Sequence, residues 1–103
     1  MILEVVSSPN PLKRFRATVK TANGIKQYDF GLKGGHTYID GASDQQRTNY
    51  MLRHRGNSVE ERLIDNLVPS PSLLSALLLW GKYRTLKENI IRLNALWKKK
   101  HYK

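Results

Sequence analysis

An α+β fold, a small three-stranded antiparallel sheet followed by three to four helices, is what the sequence predicts, and three observations predict it. Residues 14–20 alternate strictly between polar and apolar, the period of a half-buried strand. Asn23-Gly24 follows, and Tyr28 and Phe30 resume the alternation, which is a hairpin pattern. From residue 43 onward the apolar spacing lengthens to that of helices, with capping residues before each run. A chain of 103 residues is expected to form one domain, residues 1–103. Within it, residues 2–30 form the sheet, 31–43 a glycine-rich loop, 44–98 the helical part and 99–103 a basic tail.

Ile2, Val5 and Val6 make the first segment β-branched and strand-forming. Pro9 and Pro11 end it, because proline cannot donate to a ladder. In the next strand Phe15, Ala17 and Val19 share one face while Arg14, Arg16, Thr18 and Lys20 share the other. Placing the turn at Asn23-Gly24 sets Val19 opposite Tyr28, Ala17 opposite Phe30, Lys20 opposite Gln27 and Thr18 opposite Asp29. Residues 31–41 hold four of the seven glycines and read as an irregular loop.

Ser43 with Gln46 forms a capping box and predicts a helix over residues 44–55, stopped by Gly56-Asn57. Ser58 with Glu61 reads as a second box, opening a helix to residue 67. Ser70-Pro71 is an N-cap followed by a first-turn proline, and the helix it opens is expected to end at Gly81. Its residues 73–80 are apolar over most of the circumference, so it is either the buried centre or a surface that docks onto another chain. In the second case Leu73, Leu74, Leu77 and Trp80 are the candidate interface. Thr85 with Glu88 opens the last helix, whose stripe Leu86, Ile90, Leu93, Trp97 is expected to pack beside Phe15, Val19, Tyr28 and Phe30. Lys87, Arg92 and Asn94 fall on its exposed side.

The net charge is +10, from 18 Lys and Arg against 8 Asp and Glu. Such an excess draws a protein toward polyanions or acidic protein surfaces. It is uneven: residues 82–103 hold eight bases and one acid. There is no cysteine, which excludes disulfides and cysteine-ligated zinc. The first residues lack the basic and long apolar regions of a signal peptide, and position 2 is not the glycine of a myristoylation site. The longest apolar run, residues 73–80, is far short of the ~20 residues of a membrane span.

Chemistry-bearing patterns are few. His36, His54 and His101 are scattered, with no metal-ligand spacing, so no metal or cofactor is expected. Lys33-Gly34-Gly35 lacks the ending and the immediate helix of a P-loop, and reads as a loop needing positive φ. Arg47, Tyr50 and His54 share a helix face, flanked by Arg53 and Arg55. That face either grips phosphates or acidic side chains, with Tyr50 stacking, or packs Tyr50 on the sheet and leaves the arginines in water. Lys98, Lys99, Lys100 and Lys103 form a basic end suited to sequence-independent phosphate contact. No nucleophile elbow or paired acids are present, so no enzyme is expected.

One chain-wide pattern remains. Phe30-Gly31-Leu32-Lys33-Gly34 leads to Thr37-Tyr38-Ile39-Asp40, then to Tyr50-Met51-Leu52-Arg53-His54, and finally to Leu78-Leu79-Trp80-Gly81 before Leu86-Lys87-Glu88-Asn89-Ile90. In order and approximate spacing this resembles a family of small basic proteins of large nucleocytoplasmic DNA viruses, from algal, amoebal and related viruses. The segment Ser58-Val59-Glu60-Glu61-Arg62 and the N-terminal strand lie outside the pattern. The resemblance implies a virus-encoded protein with no established enzymatic activity, and transfers no site residues. The expectation is a structural component of the particle, a minor capsid protein in the virion and, during assembly, in the host cytoplasm, with capsid or other virion proteins as partners. The alternative is a virion protein that binds nucleic acid non-specifically through its basic faces.

Overall fold

A computed structural model describes residues 1–101 of the chain. Three strands, β1 (Ile2–Ser7), β2 (Lys13–Thr21) and β3 (Gly24–Leu32), form an open antiparallel sheet in the order β1-β2-β3. A 3-10 helix at Tyr38–Asp40 leads to the helices α1 (Asp44–Arg55), α2 (Ser58–Asp65), α3 (Pro71–Leu74) and α4 (Leu86–His101). The fold is α+β. Strand β3 runs on through Gly31 and Leu32, two residues into what reads as loop from the sequence.

The hairpin turns one residue earlier than expected. Thr21 pairs with Gly24, so the ladder sets Val19 opposite Lys26, Ala17 opposite Tyr28, Phe15 opposite Phe30, Thr18 opposite Gln27 and Arg16 opposite Asp29. A turn centred on Asn23-Gly24 would place both residues in the left-handed region. Here only Gly24 is there, at φ 114°, while Ala22 and Asn23 form the loop and the Thr21 hydroxyl accepts from Asn23 N–H and donates to Gly24 O. The partner shifts by two residues, an even number, so each side chain keeps its face.

Strand β1 carries an irregularity at Leu3, between the pairs Ile2–Val19 and Glu4–Thr18. The extra residue restores the alternation. Ile2 and Val5, three apart, both reach the core, and Leu3 is left half exposed.

The leucine-rich segment is the centre of the molecule. Leu73, Leu74 and Leu78 have no exposed surface, and Leu79 is 2 % exposed. They join Phe30, Ala17 and Val19 of the sheet with Leu93 and Trp97 of α4 in one core. This corrects the candidate interface: Leu73 and Leu74 face the chain's own sheet, and Leu77 and Trp80 are partly buried against the same core. The leucine-rich segment packs on β3 and against α4, and the stripe Leu86, Ile90, Leu93, Trp97 belongs to the same core as Phe15, Val19, Tyr28 and Phe30.

That segment does not continue as an α-helix to Gly81. After Leu74 it widens into a π-turn at Ser75–Leu79, closed by Trp80 N–H to Ser75 O at 3.1 Å. Gly81 is required by close approach, since a Cβ there would lie 2.2 Å from Leu77 O. The caps are also specific. Ser43 and Gln46 form the expected box. Helix α2 is capped by Asn57, whose side chain accepts from Val59 and Glu60 N–H, rather than by Ser58. Ser70 caps α3 through Leu73 N–H, and Thr85 accepts from Glu88 N–H. Asn94, expected in solvent, instead bonds both backbone groups of Ile2, pinning α4 to the edge strand.

Candidate functional site

Helix α1 turns the Arg47–Tyr50–His54 face inward. Arg47 Nε donates to Trp80 O and Gly81 O, both at 3.0 Å. These carbonyls follow the π-turn and lack intrahelical partners, so the guanidinium acts as a C-terminal cap. Tyr50 stacks on Trp80, with ring centroids 4.6 Å apart and planes 10° apart, and its other neighbour is the His54 ring at 4.2 Å. Burial pushes the Tyr50 phenol well above its ordinary range, with a smaller push from Glu60 and an opposing effect of Arg53. His54 Nδ1 lies 2.6 Å from Glu60 Oε2. The approach does not have the alignment of a hydrogen bond, and it brings α1 and α2 together at their corner.

A second brace stands beside it. Arg84 lies 4.0 Å above the Tyr38 ring and donates to Ala42 O at 2.9 Å. Tyr38 in turn donates to Asp44 at 2.6 Å, and that carboxylate holds its phenol proton more firmly. Arg14 pairs through both terminal nitrogens with Asp40, each at 2.6 Å. Asp40 also accepts from Thr37, and the Arg14 guanidinium, aided by Thr37, holds its carboxyl well below the usual carboxylate range. Arg16 pairs with Asp29 on the outer face of the sheet.

The other candidate residues divide. Arg53 and Arg55 are exposed, as are Lys98 and Lys99. Lys100 reaches the backbone oxygen of Asn66. Lys103 lies outside the described residues. In Lys33-Gly34-Gly35 two of the amides that a phosphate cradle would use are spent within the chain: Lys33 N–H goes to Leu12 O and Gly35 N–H to Leu32 O.

What the structure adds is a cleft of about 600 Å³ between the end of the sheet and α1. Lys13, His36, Arg53, His54 and Glu60 bring ionisable groups to it, over a floor that includes Leu79 and Trp80. Sequence reasoning missed Lys13 and Glu60. A signal for Lys13 was present: it lies two residues before Phe15 and so shares the apolar face of β2. No such signal marked Glu60, which reaches the cleft only because the chain reverses at residues 56–57. Among the described residues no three His, Asp or Glu side chains gather where they could hold a metal ion, and no helix is long and apolar enough to cross a membrane.

Residues 3–54 match a family described as a family of unknown function (DUF5754). No curated protein and no solved structure shows a significant match.

Proposed function

The chain belongs to the DUF5754 family of unknown function, and we propose that it is a structural component of a large DNA virus particle, a minor capsid protein that works by touching its neighbours. The viral setting rests on the ordered motifs from Phe30 to Ile90 described above. The mode of action rests on one surface. Leu12 and Leu32 are 73 % and 71 % exposed. The ladder pairs Leu32 with Lys13, and Lys33 N–H bonds Leu12 O, so both exposed leucines stand at the open end of the hairpin. Exposed leucines set among Lys13 and Lys33 at one end of the sheet have the anatomy of a contact surface for an acidic-edged partner.

The reading is non-enzymatic. Among the described residues the cleft has one carboxylate, Glu60, which lies against His54. Mass spectrometry of purified, nuclease-treated particles tests it: the protein is expected in the shell fraction, cross-linked to capsid proteins through Lys13 or Lys33. Its absence from particles would defeat the proposal.

A second reading, non-specific binding of nucleic acid, is favoured by the exposure of Arg53, Arg55, Lys98 and Lys99, none of which is ion-paired among the described residues. Titration with duplex DNA at two salt concentrations separates the two, because binding through phosphates falls steeply with salt.

A further inference from the structure

The cleft at the end of the sheet gathers cations that the fold does not neutralise. Lys13 comes from the first residue of β2 and Arg53 from the last turn of α1, and both line the same concavity. Arg14 and Arg16, its neighbours on β2, are paired with Asp40 and Asp29. Neither Lys13 nor Arg53 is in an ion pair among the described residues, and Lys13 acts on Asp29 only through the field of its charge. Glu60, the one carboxylate on the wall among the described residues, lies 2.6 Å from His54 Nδ1. Like charges brought together over apolar walls repel, and an anion between them relieves the repulsion. His36 adds a further nitrogen at the rim.

The rest of the cleft is suited to a small molecule rather than a bare ion. Its volume falls in the range of roughly 300–1,000 Å³ typical of small-ligand sites. Leu79 and Trp80 supply an apolar floor and Leu32 an apolar lip. We infer that this cleft binds a phosphate monoester carried on an apolar or planar body, with Lys13 and Arg53 on the phosphate and the body against Trp80 and Leu32. A phosphate dianion matches two cations in charge, and the Arg53 fork suits two phosphate oxygens. This inference does not depend on the particle reading: it fails or stands on ligand binding, whereas that reading fails or stands on particle composition.

The test is an NMR titration of the full chain with adenosine monophosphate, adenosine and inorganic phosphate. Adenosine monophosphate is expected to shift the backbone amides of residues 31–36 and Arg53. Adenosine is expected to bind at least tenfold more weakly. Lys13→Gln and Arg53→Gln should each weaken binding by roughly tenfold, one charge-assisted contact apiece, while Lys99→Gln leaves it unchanged. The amide spectra of the variants report directly that they are folded. No shifts at about 10 mM ligand, equal binding of adenosine, or unaltered affinity in both cleft variants would overturn the inference. Phosphatidylcholine vesicles containing phosphatidic acid distinguish the source of the phosphate: capture that adenosine monophosphate competes places the lipid headgroup in the cleft and supports the inference, whereas capture that it does not compete, with no ligand-induced shifts at residues 31–36, overturns it.

Discussion

Tyr50 lies flat against Trp80, with 4.6 Å between ring centroids. The stack fastens α1 to the end of the π-turn, and one turn earlier Arg47 fastens it again through Trp80 O and Gly81 O. Tyr50→Ala is therefore expected to cost about 2–3 kcal/mol of stability, from lost burial and lost stacking. Tyr50→Phe, which keeps the stack, should cost less than about 1 kcal/mol. Urea midpoints at constant m-value measure both, and equal midpoints for Tyr50→Ala and the parent would refute the brace.

The same burial has a consequence in alkali. The folded state holds the Tyr50 proton more tightly than the unfolded state, whose phenol has its ordinary pKa of 10.0. The raised pKa therefore contributes stability that is complete below the unfolded pKa and is lost as pH rises beyond it. Ultraviolet titration is expected to show a late tyrosinate step coincident with unfolding, and Tyr50→Phe should remove that step.

Asn89 is 1 % exposed and spends its side chain on the backbone. Its Nδ2 donates to Leu78 O and Tyr83 O, and its Oδ1 accepts from Tyr83 N–H, all at 2.9 Å. Asn89→Leu would strand these groups in the interior, at a cost of about 2–4 kcal/mol. Gly81→Ala is expected to be at least as damaging, because the added methyl meets both Leu77 O and Asn89 Oδ1. Thermal melts of the two variants check this, and a parent-like melting temperature for either would count against it.

Asp40 joins the strand β2 to the loop before α1. Its folded pKa is depressed by Arg14, so the pair contributes stability that is present above the unfolded pKa of 3.8 and is lost as pH falls below it. Asp40→Asn should cost about 1 kcal/mol at neutral pH, a surface value reflecting solvent screening. The difference between variant and parent should shrink in acid, which denaturant titrations at neutral and acid pH will show.

If the basic surfaces meet nucleic acid, Arg53→Gln with Arg55→Gln reports on the end of α1, and Lys98→Gln with Lys99→Gln on the last turns of α4. Each pair that contacts phosphates should lower the slope of log K against log salt by about 2. A slope unchanged by both pairs would remove polyanion binding through these residues.

The hairpin shows how far local patterning reaches. Alternation along β2 and β3 specified which side chains face the core, because parity survives a two-residue shift in register. The register itself depended on whether Asn23 joins Gly24 in the left-handed conformation, a choice among turns of similar energy. Three of the four helix starts were legible for a related reason: Ser43, Ser70 and Thr85 cap their own neighbours, and the chemistry is complete within four residues. At the second start, Asn57 and Ser58 could each have served, and Asn57 does.

The roles of α1 were not legible, although its residues were singled out. Whether Arg47 holds a phosphate or a carbonyl depends on what lies opposite it, and Trp80 and Gly81 are 33 and 34 residues away. The leucine-rich segment posed the same problem, since an all-round apolar surface specifies burial without naming what buries it. The amino-acid order by itself determined strands, faces, most caps and a basic surplus, each settled by interactions between near neighbours. Only the tertiary structure decided which cations are consumed as internal struts and which remain, with Lys13 and Arg53, around an open cleft, because that depends on distances between segments that no local period encodes.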